Sequence, residues 1–211
     1  MNPITALFAV DFISQVGGYV VGDEGALFAT GDAGATRVQK NSNTIDALRD
    51  VDFIDATTGW IVGNFGTVVA TVNNGVTFFL QNTGTADDLL GVSSVDPSTV
   101  WTVGKHGTIL KTVNGGSLWS PQVSPTTEDL ADVSFVDAQH GWAVGDVGTI
   151  IATVNGGTNW TQQVSGISED FGGVFFRSTA VGWAVGSSGR ILTTTEASAH
   201  ATANPSPAAR R

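Results

Sequence analysis

A fixed step of 41 residues governs this sequence. The dipeptide Val-Gly ends at Gly22, Gly63, Gly104, Gly145 and Gly186, and a second glycine follows at Gly25, Gly66, Gly107, Gly148 and Gly189. An aromatic precedes each pair at one offset, as Tyr19, Trp60, Trp101, Trp142 and Trp183. Val10, Val51, Val92, Val133 and Val174 upstream keep the same step, as do Thr30, Thr71, Thr112, Thr153 and Thr194 downstream. A repeat of this length implies like units that each bury their faces against neighbours.

One unit reads as four short strands. In the copy from Asp129, LADVSFVD alternates and predicts a first strand, and Ala138, Gln139 and His140 turn the chain. GWAVG predicts a second strand, the Gly145–Gly148 loop turns back, and TIIAT predicts a third. VNGG is a turn, because Asn-Gly readily takes positive φ, and NWTQQV predicts a fourth strand. Four antiparallel strands in about 40 residues match one propeller blade. Strands two and three are apolar on both sides, as in Trp142-Ala143-Val144 and Ile150-Ile151-Ala152. That suits a sheet stacked between two others rather than one with a face in water.

The expected fold is therefore all-β: a five-bladed β-propeller of five 41-residue, four-stranded antiparallel blades. Their approximate spans are 5–41, 42–82, 83–123, 124–164 and 165–203. The last fourth strand must come from Ala197 to Ala203, and residues 204–211 read as a disordered tail. An open solenoid of the same units, or closure through oligomers, is the alternative architecture.

Composition narrows the function. The chain has no Cys, which excludes disulfides, thiolate metal sites and a Cys nucleophile. Its net charge is -10, which argues against nucleic acid and for a basic partner or a cation. The start, MNPITALFAVDFIS, has no Lys or Arg before its apolar run and is too short to span a bilayer. Neither a signal peptide nor membrane insertion is expected.

The turn before strand four carries a family resemblance. Thr153-Val-Asn-Gly-Gly-Thr-Asn-Trp160 resembles the Asp-box, or BNR, turn; Thr112 to Trp119 matches similarly, and Thr71 to Phe78 has Phe for Trp. The first copy keeps an acid at Asp32, and the last, Thr194-Thr-Glu-Ala-Ser, lacks the glycine. Together with DVSFVDAQHGWAVGDVGTI, this resembles the photosystem II stability/assembly factor family of Asp-box propellers (YCF48-like). The resemblance implies a docking scaffold or assembly factor outside the cytoplasm, in the periplasm, a lumen or at the surface. Members typically have seven blades and hold membrane-complex intermediates through a basic patch. This chain has five copies and only 9 Lys and Arg. The box itself reads as a turn in which the Asn or Asp bonds nearby amides while the aromatic packs below.

Asp-box propellers include sialidases, which use three Arg, a Tyr nucleophile, a Glu and an Asp. The single Tyr, Tyr19, stands at the Trp position of the other copies, which marks it as structural. Arg37, Arg49, Arg177 and Arg190 fall at different offsets, and His106, His140 and His200 lie in different loops or the tail. No Ser-His-Asp arrangement, HExxH, phosphate loop or dinucleotide fingerprint occurs. The expectation is no catalytic residue, no cofactor and no metal site.

Function in a repeat protein sits where copies differ. The two–three loops read Asp23-Glu24, Asn64-Phe65, Lys105-His106, Asp146-Val147 and Ser187-Ser188. On the same face, the four–one links place Asp46, Asp87, Glu128 and Glu169 before strand one, with Asp88, Asp129 and Asp170 beside them. This predicts an acidic collar. It is either a solvated rim, a dock for a Lys/Arg-rich segment of a protein partner, or a Ca²⁺ site lacking a dedicated loop. The expected role is a non-enzymatic scaffold or accessory subunit on a protein complex, such as one in a membrane, acting as a monomer or within a larger assembly. The alternative is a lectin with repeated glycan sites between blades, where the Trp ring would stack on sugar; a degenerate glycosidase comes third.

Overall fold

A computed structural model of the chain describes residues 6–194 and the backbone of 202–203. It contains five four-stranded antiparallel sheets, each in sequential strand order. Blade 1 is β1 (Leu7–Phe12), β2 (Gly18–Gly22), β3 (Leu27–Thr30) and β4 (Val38–Gln39). Blade 2 is β5 (Leu48–Phe53), β6 (Gly59–Gly63), β7 (Val68–Thr71) and β8 (Phe79–Gln81). Blade 3 is β9 (Leu89–Ser94), β10 (Val100–Gly104), β11 (Ile109–Thr112) and β12 (Ser120–Pro121). Blade 4 is β13 (Leu130–Phe135), β14 (Gly141–Gly145), β15 (Ile150–Thr153) and β16 (Thr161–Gln163). Blade 5 is β17 (Phe171–Ser178), β18 (Val181–Gly186), β19 (Ile191–Thr194) and β20 (Thr202–Ala203). The chain is thus a five-bladed propeller fold, and its last blade takes a fourth strand from the expected stretch. Residues 204–211, expected as a tail, lie outside the described residues.

The two repeated glycines have different causes. At Gly145 a Cβ would collide with the carbonyl oxygen of Asp129, because the four–one link passes directly against the end of strand two; Gly22, Gly63, Gly104 and Gly186 meet the same obstacle. At Gly148 a Cβ would collide with the carbonyl of Ile167, and the residue also has φ +67, which favours glycine.

The core lies between blades rather than within one. Tyr19, Val21 and Leu27 of blade 1 pack on Leu48, Val51, Phe53 and Ile61 of blade 2. Trp60, Val62 and Val68 meet Leu89, Val92 and Val100, and Trp101, Val103 and Ile109 meet Leu130, Val133 and Phe135. Val144 and Ile150 meet Phe171, Ala184 and Leu192. The repeat aromatic stacks on the next blade's first strand: Trp101 lies 3.6 Å from the Phe135 ring and Trp142 3.6 Å from Phe176, both nearly parallel. Burial on both faces explains why strands two and three are apolar on both sides. Four such junctions form among the described residues, and none joins blade 5 to blade 1. Stacking between two neighbours therefore holds for blades 2 to 4.

The Asp-box is a closed turn. In blade 4 the Thr153 hydroxyl accepts the Gly157 N–H at 2.9 Å, and Asn155 Oδ1 accepts the Asn159 N–H at 2.9 Å. This satisfies the turn amides internally and drops Trp160 into the junction with blade 3.

Candidate functional site

Each two–three loop is one tight turn whose second residue is left-handed. Glu24, Phe65, His106, Val147 and Ser188 have φ 54, 57, 56, 55 and 56. That conformation is unfavourable for a β-branched residue such as Val147, so something must hold it. The next blade does. Asp88 Oδ1 accepts the Phe65 N–H at 3.0 Å, Asp129 Oδ1 that of His106 at 2.9 Å, and Asp170 Oδ1 that of Val147 at 2.9 Å. In blade 1 the position of this acid is Ala47, and Asp23 instead accepts the Glu24 N–H at 3.0 Å. The loop backbone is thus fixed by a carboxylate, and the loop side chains are free to vary.

In the links to blades 2, 3 and 5 the other acid ties its own blade. Asp46 accepts the hydroxyls of Thr44 and Thr67 at 2.9 and 2.7 Å. Asp87 accepts that of Thr108 at 2.7 Å and faces the His106 ring nitrogen at 3.0 Å. The Thr108 hydroxyl, then His106, hold the Asp87 carboxyl below its ordinary range. Glu169 pairs with Arg190 at 2.7 Å, which holds it low as well. Burial pushes Asp88 up, but its bonds to Lys105 (2.8 Å) and to the Phe65 amide outweigh that and lower it. Arg49 reaches Asn64 at 2.7 Å.

The charge along this row of links and loops is uneven. Cationic side chains lie among the acids of blades 2 and 3 and beside Glu169. Around blade 4 the balance differs: the side chains of Glu128 and Asp146 make no hydrogen bond among the described residues. Burial, then the charges of Asp170, Asp129 and Glu128, push the Asp146 carboxyl up. Four carboxylates thus converge where the blade 4 loop meets both adjoining links. A groove bordered by Val147, Ser165, Glu169 and Arg190 runs beside them. Among the expected loop residues, Phe65 is exposed, and Asp23 and Glu24 sit at the end of the row without a link acid opposite. Among the described residues, no group of three or more His, Asp or Glu is placed to hold a metal ion.

A second set of acids, not expected from sequence, lies between first strands. Asp11 accepts the Phe53 N–H at 2.8 Å, Asp50 that of Val92 at 2.9 Å, and Asp132 that of Val174 at 2.7 Å. Asp52 accepts both the amide and the hydroxyl of Ser94. Ser93 and Ser134 do the same work for Phe135 and Phe176. These clamps tie each blade to the next. Burial raises the Asp50 carboxyl to about 7 and Asp132 to about 6, with Asp132 adding repulsion at Asp50. The signal was present as acids at alternate positions of an apolar strand, but only packing shows which side they face.

The residues weighed for glycosidase chemistry do not meet. Tyr19 is buried and stacked 4.1 Å from Phe53. Arg37 lies over Phe28, Arg49 over Phe8, and Arg190 on Glu169. His140 pairs locally with Asp137 at 2.9 Å, and His200 lies outside the described residues.

Comparisons with known proteins agree with this architecture. The chain is similar to a YCF48 bound to D1 peptide, at 18% identity and TM-score 0.72, over 92% of this chain and 64% of that one. It is similar to YCF48 from Cyanidioschyzon merolae, at 16% identity and TM-score 0.51, over 97% and 86%. The GH74 enzyme of Niastella koreensis matches at 14% identity and TM-score 0.71, over 93% of this chain and 38% of that one. At these identities the likeness concerns the fold alone. This chain spans 64% of the length of the peptide-bound protein. No curated protein matches it significantly. Two overlapping segments, residues 39–124 and 119–203, match the family described as photosynthesis system II assembly factor YCF48. The chain belongs to that family.

Proposed function

We propose that this chain is a non-enzymatic scaffold or assembly subunit that docks a cationic segment of a membrane-complex protein on its acidic loop face. The carrying observation is that Asp146, whose N–H meets the Asp129 carbonyl at 2.9 Å and whose neighbour Val147 is held by Asp170, lies under the charges of Asp170, Asp129 and Glu128. Like charges are held together there by bonds that serve the fold, so an incoming Lys or Arg relieves repulsion rather than displacing a partner. Family membership supports a protein-binding role, and the similar YCF48 is a protein with a bound D1 peptide. A lectin with repeated sites is less supported, because Trp60 and Trp101 are closed inside junctions and offer no face to a sugar.

Glu128 and Asp146 are the residues to change, since they make no side-chain bond that the fold needs. The E128Q/D146N double variant is expected to keep the parent melting temperature. It should bind a Lys-rich peptide of about ten residues roughly 10-fold more weakly at low salt, as measured by fluorescence anisotropy. A Glu-rich peptide of equal length serves as the control. Equal affinity of parent and variant for the Lys-rich peptide would overturn the assignment.

A further inference from the structure

Among the described residues, the outer sides of the first and last blades are apolar and exposed. On blade 1, Leu7, Val10 and Phe12 are 43%, 61% and 47% exposed, while their repeat equivalents Leu48, Val51 and Phe53 are 0%, 5% and 8%. On blade 5, Trp183, Val185 and Ile191 are 40%, 48% and 53% exposed, while Trp101, Val103 and Ile109 are 0%, 0% and 2%. End units of a repeat stack need a polar outer face to remain dispersed. Among the described residues, these two sides present apolar side chains instead.

The two bare sides are the two halves of one junction. Blade 5 presents the Trp, Val and Ile that blade 3 presents to blade 4. Blade 1 presents the Leu, Val and Phe that blades 2 and 4 present to the blades before them. The chain builds this contact four times, and the spacing of each half is unchanged at the ends. We infer that blade 5 of one copy docks on blade 1 of a second copy, head to tail, through the same apolar junction that joins successive blades.

The junction between copies differs from those within the chain in two respects: the aromatic that Phe78, Trp119 and Trp160 bring to the first three junctions is Arg37 in blade 1, and the clamp is changed. The clamp position that is Asp11, Asp52, Ser93 and Ser134 in the first four blades is Phe175 in blade 5. Phe175 cannot accept an amide of the incoming strand, but it adds exposed apolar area to the face. Association therefore rests on apolar contact and is insensitive to salt, unlike binding at the acidic face. A head-to-tail contact is heterologous, so it either closes a ring or propagates.

The test uses two exposed positions whose change spares the fold. Val10→Asp blocks the blade 1 side and Val185→Asp the blade 5 side. Sedimentation velocity over about 1–200 μM should show the parent growing beyond one chain, at low and high salt alike. Each variant alone should remain a monomer. Their equimolar mixture should form a two-chain particle, because Val10→Asp keeps a good blade 5 side and Val185→Asp a good blade 1 side. A parent that stays monomeric throughout, a single variant that still associates, or a mixture that does not would each overturn the inference.

Discussion

Replacing Asp50 with Asn is expected to stabilise the protein at about pH 8 by roughly 2–3 kcal/mol and to do the opposite below about pH 4.5. Burial and the nearby Asp132 raise the folded-state pKa of Asp50 from 3.8 to about 7. The folded chain therefore holds a proton that the unfolded chain has released between those values. Stability associated with that proton is fully present below the unfolded pKa and is lost as pH rises through the folded one. Asn removes the charge and keeps an acceptor for Val92. It gives up one bond, because Asp50 accepts both the Val92 and Val51 amides. That loss costs about 1 kcal/mol and is what remains at low pH. Melting curves should place the variant about 4–10 °C above the parent near pH 8. The parent itself should melt higher near pH 5 than near pH 8. A parent whose melting point rises steadily across that interval would contradict the clamp.

Trp101→Ala should cost about 3–5 kcal/mol, whereas Trp183→Ala at the same repeat offset should cost about 1 kcal/mol or less. Trp101 is fully buried, stacks on Phe135 and donates its indole N–H to the Gly156 carbonyl at 3.2 Å. Removing it leaves a cavity in a junction that two blades share. Among the described residues no blade covers Trp183, which is 40% exposed. Urea unfolding of both variants at low protein concentration measures the difference. Equal losses would mean that the last blade is covered in a way the present packing does not contain.

The fold was legible because its cause is periodic. A step of 41 residues fixed the number of units, and Asn-Gly turns between apolar stretches fixed four strands in each. The glycines were visible as a pattern, while their reason was not. Gly145 is set by a carbonyl of the link before its blade and Gly148 by one of the link after it, which no local reading of strand two would find. The collar was legible as a row of acids at constant offset. Its inner division was hidden, because Asp88, Asp129 and Asp170 spend their oxygens on loop amides from the preceding blade, 23 residues back. The open ends were hidden too. Val185 and Val10 look like their internal copies, so sequence alone gives no sign that they stand exposed.

The acidic face around blade 4 is proposed to recruit a protein partner. A native pull-down with the parent chain and with E128Q/D146N as baits, from source membranes, tests it directly. A membrane-complex subunit should be held by the parent at low salt, released at about 0.5 M salt as screening shortens to a few ångströms, and poorly held by the variant. Equal capture by both baits, or recovery only of glycoproteins that free sugar releases, would contradict it.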